Sequence, residues 1–110
     1  MEFKRIKLAN RKGSSSKIGS IDVAPKMLVR VFGKPELGDD YTVSGEYLFE
    51  GESGIQISLY DWKCTSLYFP GEDYPSPRKF WADKTPWEFS IGGANKEYAA
   101  LFIEWLLRQL

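Results

Sequence analysis

The side chains best suited to binding chemistry are cations that stand beside aromatic residues in two short segments. The first segment is Tyr-Asp-Trp-Lys at 60–63, and the second is Arg-Lys-Phe-Trp at 78–81. Aromatic rings can stack on a base or on a partner's side chain, while an adjacent cation neutralises negative charge. With a tyrosine nearby, the segments predict one binding surface made of Tyr60, Trp62, Lys63, Tyr68, Arg78 and Lys79.

Each segment also has a purely structural interpretation. Alternation along a strand would bury the aromatic residues of 60–63 and leave Asp61 and Lys63 in solvent. Residues 70–86 contain four prolines, and such a loop is either functional or held together by its own aromatic side chains. The sequence leaves both interpretations open.

Catalytic chemistry has few candidates. The chain has no histidine, which is the commonest general base, and its single cysteine is Cys64. A Ser-His-Asp or Cys-His set, a thiolate zinc site and an intrachain disulfide therefore cannot form within one chain. Carboxylate, lysine or tyrosine chemistry remains, but no spacing marks it. The sequence predicts a protein that is not an enzyme and uses no cofactor or metal.

One segment has the succession of predicted elements that is found at some anion-binding sites. Residues 90–96 read Ser-Ile-Gly-Gly-Ala-Asn-Lys, which predicts a strand, two glycines and a helix start. Backbone N–H groups at such a junction can hold an anion, with Lys96 adding charge. The spacing is not that of a P-loop or a dinucleotide motif. A tight turn that needs positive φ at one glycine is the competing explanation.

Charge is segregated along the chain although its net value is zero. Residues 1–34 carry a net charge of +7, and residues 35–75 carry −8. The basic part could contact nucleic-acid phosphate, and the acidic part could form a binding face. Alternatively, the two parts are ordinary solvated surfaces that attract each other in the fold.

Composition predicts one folded domain over 1–110. Hydrophobic residues make up 43% of the chain and aromatic residues 15%. That is enough apolar surface to fold, and more aromatic residues than so small a core should hide. No apolar run approaches the roughly 20 residues that span a bilayer, and the first twenty residues lack a signal peptide's apolar block. We therefore expect a cytoplasmic protein without a membrane partner.

The alternation of apolar and polar residues predicts an antiparallel sheet of about five strands. Strands are expected at 3–8, 27–32, 41–49, from 55 onward, and at 87–91, with a turn at 50–54. From Tyr60 onward, the strand that starts at 55 should either become buried on both faces or bulge and end near 63–66. The Gly/Ser-containing segment 10–20 predicts a basic flexible loop.

Two helical segments complete the predicted fold. Ser76 followed by Pro77 predicts a short helical turn with serine as its N-cap. Apolar residues at helical spacing predict a helix over 95–110, with Asn95 as N-cap. Its wide apolar stripe should pack across one face of the sheet, which gives the α+β class.

Several short stretches resemble small uncharacterised proteins encoded by bacteriophages, over about residues 31–110. The stretches are Phe-Gly-Lys-Pro at 32–35, Tyr-Leu-Phe at 47–49, Leu-Tyr-Asp-Trp-Lys at 59–63, Thr-Ser-Leu-Tyr at 65–68, Phe-Trp at 80–81 and Ser-Ile-Gly-Gly at 90–93. The resemblance implies a compact accessory protein that works by binding. It would inhibit a host enzyme or defence system, or sequester a small nucleotide signal.

Two functions are therefore expected. The first is a non-enzymatic binding protein of phage type whose aromatic and charged surface occupies a host protein or a nucleotide ligand. The alternative is a small nucleic-acid-binding domain that uses the basic residues of 1–34 for phosphate and exposed aromatic residues for stacking.

Overall fold

The protein is built on an antiparallel sheet that carries three helices on one face. The computed structural model describes residues 1–71 and 73–110. In chain order, the strands and helices are β1 (Lys4–Ile6), β2 (Ser16–Val23), α1 (Pro25–Phe32), β3 (Glu36–Leu37), β4 (Gly45–Glu50), β5 (Gln56–Asp61), α2 (Pro77–Trp81), β6 (Trp87–Gly93) and α3 (Glu97–Gln109). Two 3-10 turns cover Leu8–Asn10 and Glu52–Gly54.

The main strand order is β1-β4-β5-β6-β2, with β3 paired beside β4. All pairings are antiparallel. β4 and β5 form a hairpin at the expected turn, which is closed by a 2.8 Å hydrogen bond from Gly51 N to Ile55 O. The predicted α+β class, with a sheet of about five strands and a C-terminal helix across one face, is confirmed.

Period-2 alternation gives the sheet two unlike faces. On the face that the helices cover, here called the helical face, Leu59 of β5 lies opposite Ile91 of β6, and both are fully buried. On the other face, here called the open face, the next pair along the same strands is Ser58 and Gly92. The hydrophobic core therefore lies on the helical face, and the open face carries small or polar residues together with a few larger ones such as Leu48 and Tyr60.

The helices bury aromatic rings against the helical face. From α3, the rings of Phe102 and Trp105 lie 5.3 and 5.5 Å from that of Phe49 on β4. From α1, Phe32 stacks on Trp105 at 5.8 Å. Phe80 of α2 is fully buried in the same cluster. Large aromatic side chains therefore fill most of a core that has few residues available.

The strand predicted at 27–32 is wrong, because this segment lies in helix α1. Pro25 occupies the first helical turn, where its missing N–H costs nothing and its fixed φ suits a helix. Leu28 and Phe32, four residues apart, pack in or against the core, and Arg30 is exposed. A short apolar run does not separate strand from helix by periodicity alone.

The loop predicted at 10–20 is wrong over its second half, because β2 begins at Ser16. Only residues 11–15 lie between the 3-10 turn and β2. β2 pairs with β6 through backbone groups, so its polar side chains do not prevent strand formation. A Cβ on Gly19 would lie 3.2 Å from Ala99 Cβ, so this glycine lets α3 approach the sheet closely.

The predicted C-terminal helix and the predicted N-cap of α2 are confirmed. Ser76 Oγ accepts a 3.3 Å hydrogen bond from Lys79 N. The predicted side-chain cap by Asn95 is wrong: Lys96 holds the N-cap position of α3, and no side chain in the described chain caps it. Among the residues described, no helix is long and apolar enough to cross a membrane.

The packing of α3 gives a direct test of the core. Trp105 is 4% exposed and its ring contacts those of Phe3, Phe32, Phe49 and Phe102. Trp105→Ala should lower the free energy of unfolding by about 3–5 kcal/mol, because it leaves a cavity among rigid rings. Urea unfolding followed by circular dichroism measures the change. An unchanged midpoint would contradict the packing of α3 on the sheet.

Candidate functional site

An exposed group of aromatic rings surrounds one lysine near the end of β5 and the start of β4. We call this group the aromatic surface; it consists of Tyr41, Trp62, Lys63, Tyr68, Phe69 and Tyr74. Consecutive ring centroids lie 5.0 Å apart for Tyr41 and Tyr68, 4.7 Å for Tyr68 and Phe69, and 4.6 Å for Phe69 and Tyr74. Tyr41, Trp62 and Phe69 are 57%, 48% and 40% exposed, so the rings form a surface rather than a core.

Lys63 holds two of these rings together. Its Nζ lies 4.4 Å from the ring centroid of Tyr68 and 5.2 Å from that of Trp62. Its backbone has φ 57°, in the left-handed region that non-glycine residues seldom adopt. A 2.7 Å hydrogen bond from Lys63 N to Thr42 O supports this conformation. The chain therefore turns sharply after β5 and directs the lysine over the aromatic rings.

A buried carboxylate lies directly before that turn. Asp61 is 1% exposed and accepts hydrogen bonds from Ser44 Oγ at 2.7 Å, Gly45 N at 2.9 Å and Ser44 N at 3.0 Å. Ser44 Oγ in turn accepts a 3.0 Å hydrogen bond from Trp81 Nε1. Asp61 therefore joins the end of β5 to the start of β4 and, through Ser44, to α2. Burial raises the pKa of the Asp61 carboxyl, and the hydrogen bonds from Ser44 and Gly45 oppose that shift.

The loop after Lys63 is held by its own backbone. Thr65 is 2% exposed, and its carbonyl oxygen accepts hydrogen bonds from Tyr68 N and Phe69 N at 3.2 and 3.3 Å. Ser66 N donates to Pro75 O at 2.9 Å, which closes the two ends of the loop. Three rings of the aromatic surface, those of Tyr68, Phe69 and Tyr74, therefore lie on a loop whose ends are joined by a hydrogen bond.

The structure brings together three of the six predicted binding residues: Trp62, Lys63 and Tyr68. Tyr60 lies apart, on the open face opposite Glu46. Burial raises the pKa of Tyr60, with a further contribution from Glu46, while Arg11 opposes both. Arg78 and Lys79 are exposed on α2, and Lys79 shares a shallow depression with Tyr74 of the aromatic surface. A single surface holding all six residues is therefore not formed.

Sequence reasoning missed Tyr41, Phe69 and Tyr74 as members of this surface. Tyr41 was expected in a strand, but Asp39 Oδ1 accepts hydrogen bonds from Tyr41 N at 2.9 Å and Val43 N at 2.8 Å, and β4 begins only at Gly45. An aspartate that can bond the backbone two residues on is a recognisable turn signal. Phe69 and Tyr74 are each followed by a proline, which excludes a central strand at that point. The prolines do not show that the two rings are in contact.

The open face brings two other sequence features together. Residues 11–15 of the basic loop and the 92–95 junction line one cleft of about 250 Å³. The positive φ expected at Gly92 or Gly93 is absent from the described backbone, where both residues belong to β6. A Cβ on Gly92 would instead lie 2.5 Å from Ser58 Oγ. Space for neighbouring side chains, rather than turn geometry, therefore requires a glycine there.

The placement of the possible metal ligands and the ionisation of the Cys64 thiol bear on metal and thiol chemistry. Within residues 1–71 and 73–110, no three His, Cys, Asp or Glu side chains are placed to hold a metal ion. Burial, together with the charge of Asp61, raises the pKa of the Cys64 thiol to about 11. The thiol is therefore protonated at neutral pH and is a poor nucleophile.

Comparison with known protein families and with curated proteins finds no match to this chain.

The hydrogen-bond network of Asp61 gives a test of what positions the aromatic surface. Asp61→Asn should lower the free energy of unfolding by about 1–3 kcal/mol, because the amide NH₂ group replaces an acceptor that faces buried N–H donors. Ser44→Ala, which removes one hydroxyl from the same network, should cost less. Chemical denaturation at neutral pH compares the two variants.

The pH dependence tests the direction of the Asp61 shift. Because burial raises the pKa above 3.8, the folded chain keeps this proton after the unfolded chain has lost it. The stabilisation is complete below pH 3.8 and is lost as pH rises through the raised pKa. The stability of the wild type relative to Asp61→Asn should therefore fall as pH rises over that interval. A rise would mean that the hydrogen bonds from Ser44 and Gly45 outweigh burial.

Proposed function

We propose that this chain is a non-enzymatic binding protein whose aromatic surface occupies a partner protein. The observation that carries the proposal is the exposure of Tyr41, Trp62 and Phe69 on one surface. A folded chain gains nothing from leaving several large rings in water, and such rings are enriched at protein interfaces. Tyrosine and tryptophan also dominate the binding energy of many interfaces.

The fixed geometry of the surface favours binding. Lys63 is held over two rings, and the loop that carries Tyr68 and Phe69 is closed by Ser66 N and Pro75 O. Side chains that are already ordered lose less conformational entropy when a partner binds. The surface therefore resembles a preorganised site more than a flexible loop.

Charges near the surface indicate the chemistry of the partner. Three acids, Asp39 and Asp40 before Tyr41 and Asp73 before Tyr74, stand against two cations, Lys63 among the rings and Lys79 in a depression shared with Tyr74. An acidic margin attracts lysine and arginine, and arginine can also stack on exposed rings. The partner that fits is a protein surface with apolar and basic side chains. This differs from the acidic partner that Lys63, Arg78 and Lys79 would favour if they formed one surface.

The resemblance of residues 31–110 to phage accessory proteins supports a host enzyme or defence protein as this partner. Binding would then take place in the host cytoplasm. An inhibitor of this kind needs no catalytic set, which agrees with the lack of histidine and the protonated state of Cys64.

Nucleic acid is the second candidate partner, and one basic patch favours it. Lys26 and Arg30 of α1 and Lys84 line a depression of about 370 Å³. Other cations of 1–34 are engaged within the chain: Arg11 pairs with Glu46, Lys17 with Glu88, and Arg5 donates to Phe32 O. The positive charge available for phosphate is therefore smaller than the net charge of 1–34 suggests.

Truncation of the exposed rings tests the first proposal. Tagged wild-type protein is used to capture partners from a bacterial lysate, beside Trp62→Ala and Tyr41→Ala. Each variant should lose the captured protein by at least about tenfold, because exposed tryptophan and tyrosine serve as binding hot spots. Leu107→Ala is the matched control, since Leu107 is 59% exposed on α3 and lies outside the aromatic surface. It should capture as the wild type does.

Salt and charge variants separate the two candidates. Capture through the aromatic surface should survive moderate salt and nuclease treatment. If nucleic acid is captured instead, and is lost both with salt and in Lys26→Gln/Arg30→Gln, the basic patch is the site and the first proposal is wrong. Equal capture by the wild type and both ring variants would also overturn it.

A further inference from the structure

A cleft of about 250 Å³ lies on the open face, between the 11–15 loop and the strands β5 and β6. We call it the loop cleft. Ser58 and Gly92 lie in its floor, Lys12 and Ser15 belong to the loop above, and Asn95 and Tyr98 line the end nearest α3. It is separate from the aromatic surface and shares no residue with it.

A serine hydroxyl in the floor of this cleft is open to it. Ser58 is 4% exposed as a residue, and none of the side-chain hydrogen bonds found among the described residues involves its Oγ. No fully buried side-chain oxygen or nitrogen among the described residues lacks a hydrogen-bond partner, so this Oγ is reached from the cleft. It lies 2.5 Å, and Ser15 Oγ lies 3.5 Å, from the point where a Cβ on Gly92 would stand. Two hydroxyls therefore face the space above a glycine that has no side chain to fill it.

The loop is held over these hydroxyls by one amide side chain. Gln56 Oε1 accepts a 2.8 Å hydrogen bond from Lys12 N, and Gln56 Nε2 donates to Asn10 O at 2.9 Å. Both ends of the amide are used on the loop backbone. Lys12 is therefore kept at the cleft although its own segment has little apolar surface to bury.

The described residues that line the loop cleft include cations and no acid, although Glu50, outside the lining, accepts a 3.2 Å hydrogen bond from Gln56 Nε2. The two cations are Arg11 and Lys12. Arg11 already pairs with Glu46, whereas Lys12 forms no ion pair within the part of the chain described. Ala94 and Asn95 lead into α3, whose N-terminus adds the positive end of a 13-residue helix dipole.

We infer that the loop cleft binds the phosphate group of a small ligand. Lys12 supplies the charge, Ser15 and Ser58 supply hydroxyl donors, and Gly92 leaves room for the oxygens. Charge-assisted hydrogen bonds of this kind are strong and directional. The cleft is small enough to favour a phosphate or a compact phosphate ester over a polymer, and Tyr98 offers a ring to the rest of an ester.

An NMR titration of the whole protein tests this inference. Labelled protein is titrated with sodium phosphate and, separately, with adenosine 5′-monophosphate, at constant ionic strength held with sodium chloride. The amide signals of Ser15, Ser58 and Gly92 should shift and saturate. Ser58→Ala and Lys12→Gln should each weaken phosphate binding about tenfold, because each removes one interaction with a charged oxygen.

A matched control separates the hydroxyl's role from general effects. Ser90 is 3% exposed on the neighbouring strand but does not line the cleft, so Ser90→Ala should leave phosphate binding unchanged. Tighter binding of the monophosphate than of phosphate would identify a nucleotide-type ester, and equal binding would identify free phosphate; both support the cleft.

Three results would overturn the inference. They are unchanged affinity in Ser58→Ala, shifts that map to Lys26, Arg30 and Lys84 instead, and the same shifts with chloride alone. None of these results bears on capture of a protein by the aromatic surface, so the two proposals fail independently.

Discussion

A buried carboxylate is the constraint on which both the sheet end and the aromatic surface depend. Asp61 is placed where β5 must end, and three donors from Ser44 and Gly45 surround it. These buried donors need an acceptor, because an unpaired polar group in a low-dielectric core is costly. The same network reaches α2 through Trp81. The next two residues, Trp62 and Lys63, therefore leave the sheet at a fixed point and direction.

Charge segregation in the sequence becomes contact between segments in the fold. Arg11 from the basic part pairs with Glu46 from the acidic part, and Glu36 Oε2 accepts a 2.7 Å hydrogen bond from Leu8 N. The first contact joins the N-terminal segment to β4, and the second joins it to β3. Part of the segregation is thus explained within one chain. Among the basic residues of 1–34, Lys12 lines the loop cleft, and Lys26 and Arg30 of α1 line the basic patch.

The two candidate sites arise because the core uses only one face of the sheet. All three helices cover that face with aromatic rings. Residues on the open face, such as Ser58 and Gly92, are therefore free to line a cleft. Rings in the loops beyond β5 have no helix to cover them, and they remain exposed as the aromatic surface. Binding at either place would leave the core undisturbed.

Strands and helices whose signals are local can be predicted from the amino-acid sequence. Alternation of apolar and polar residues predicts the β4–β5 hairpin and β6, and apolar residues at helical spacing predict α3. Ser76 with Pro77 predicts α2. Each of these patterns involves residues only a few positions apart. Of the candidate site, the sequence found Trp62, Lys63 and Tyr68, which lie close together along the chain. The helix at 25–32 depends on the packing of the whole chain, because the apolar side chains of this short segment could be buried equally well from a strand or from a helix. The tertiary structure also decided that Tyr41 meets Tyr68 and that Ser15 meets Ser58 over Gly92, since contacts between distant segments depend on strand order and register, which no local pattern encodes.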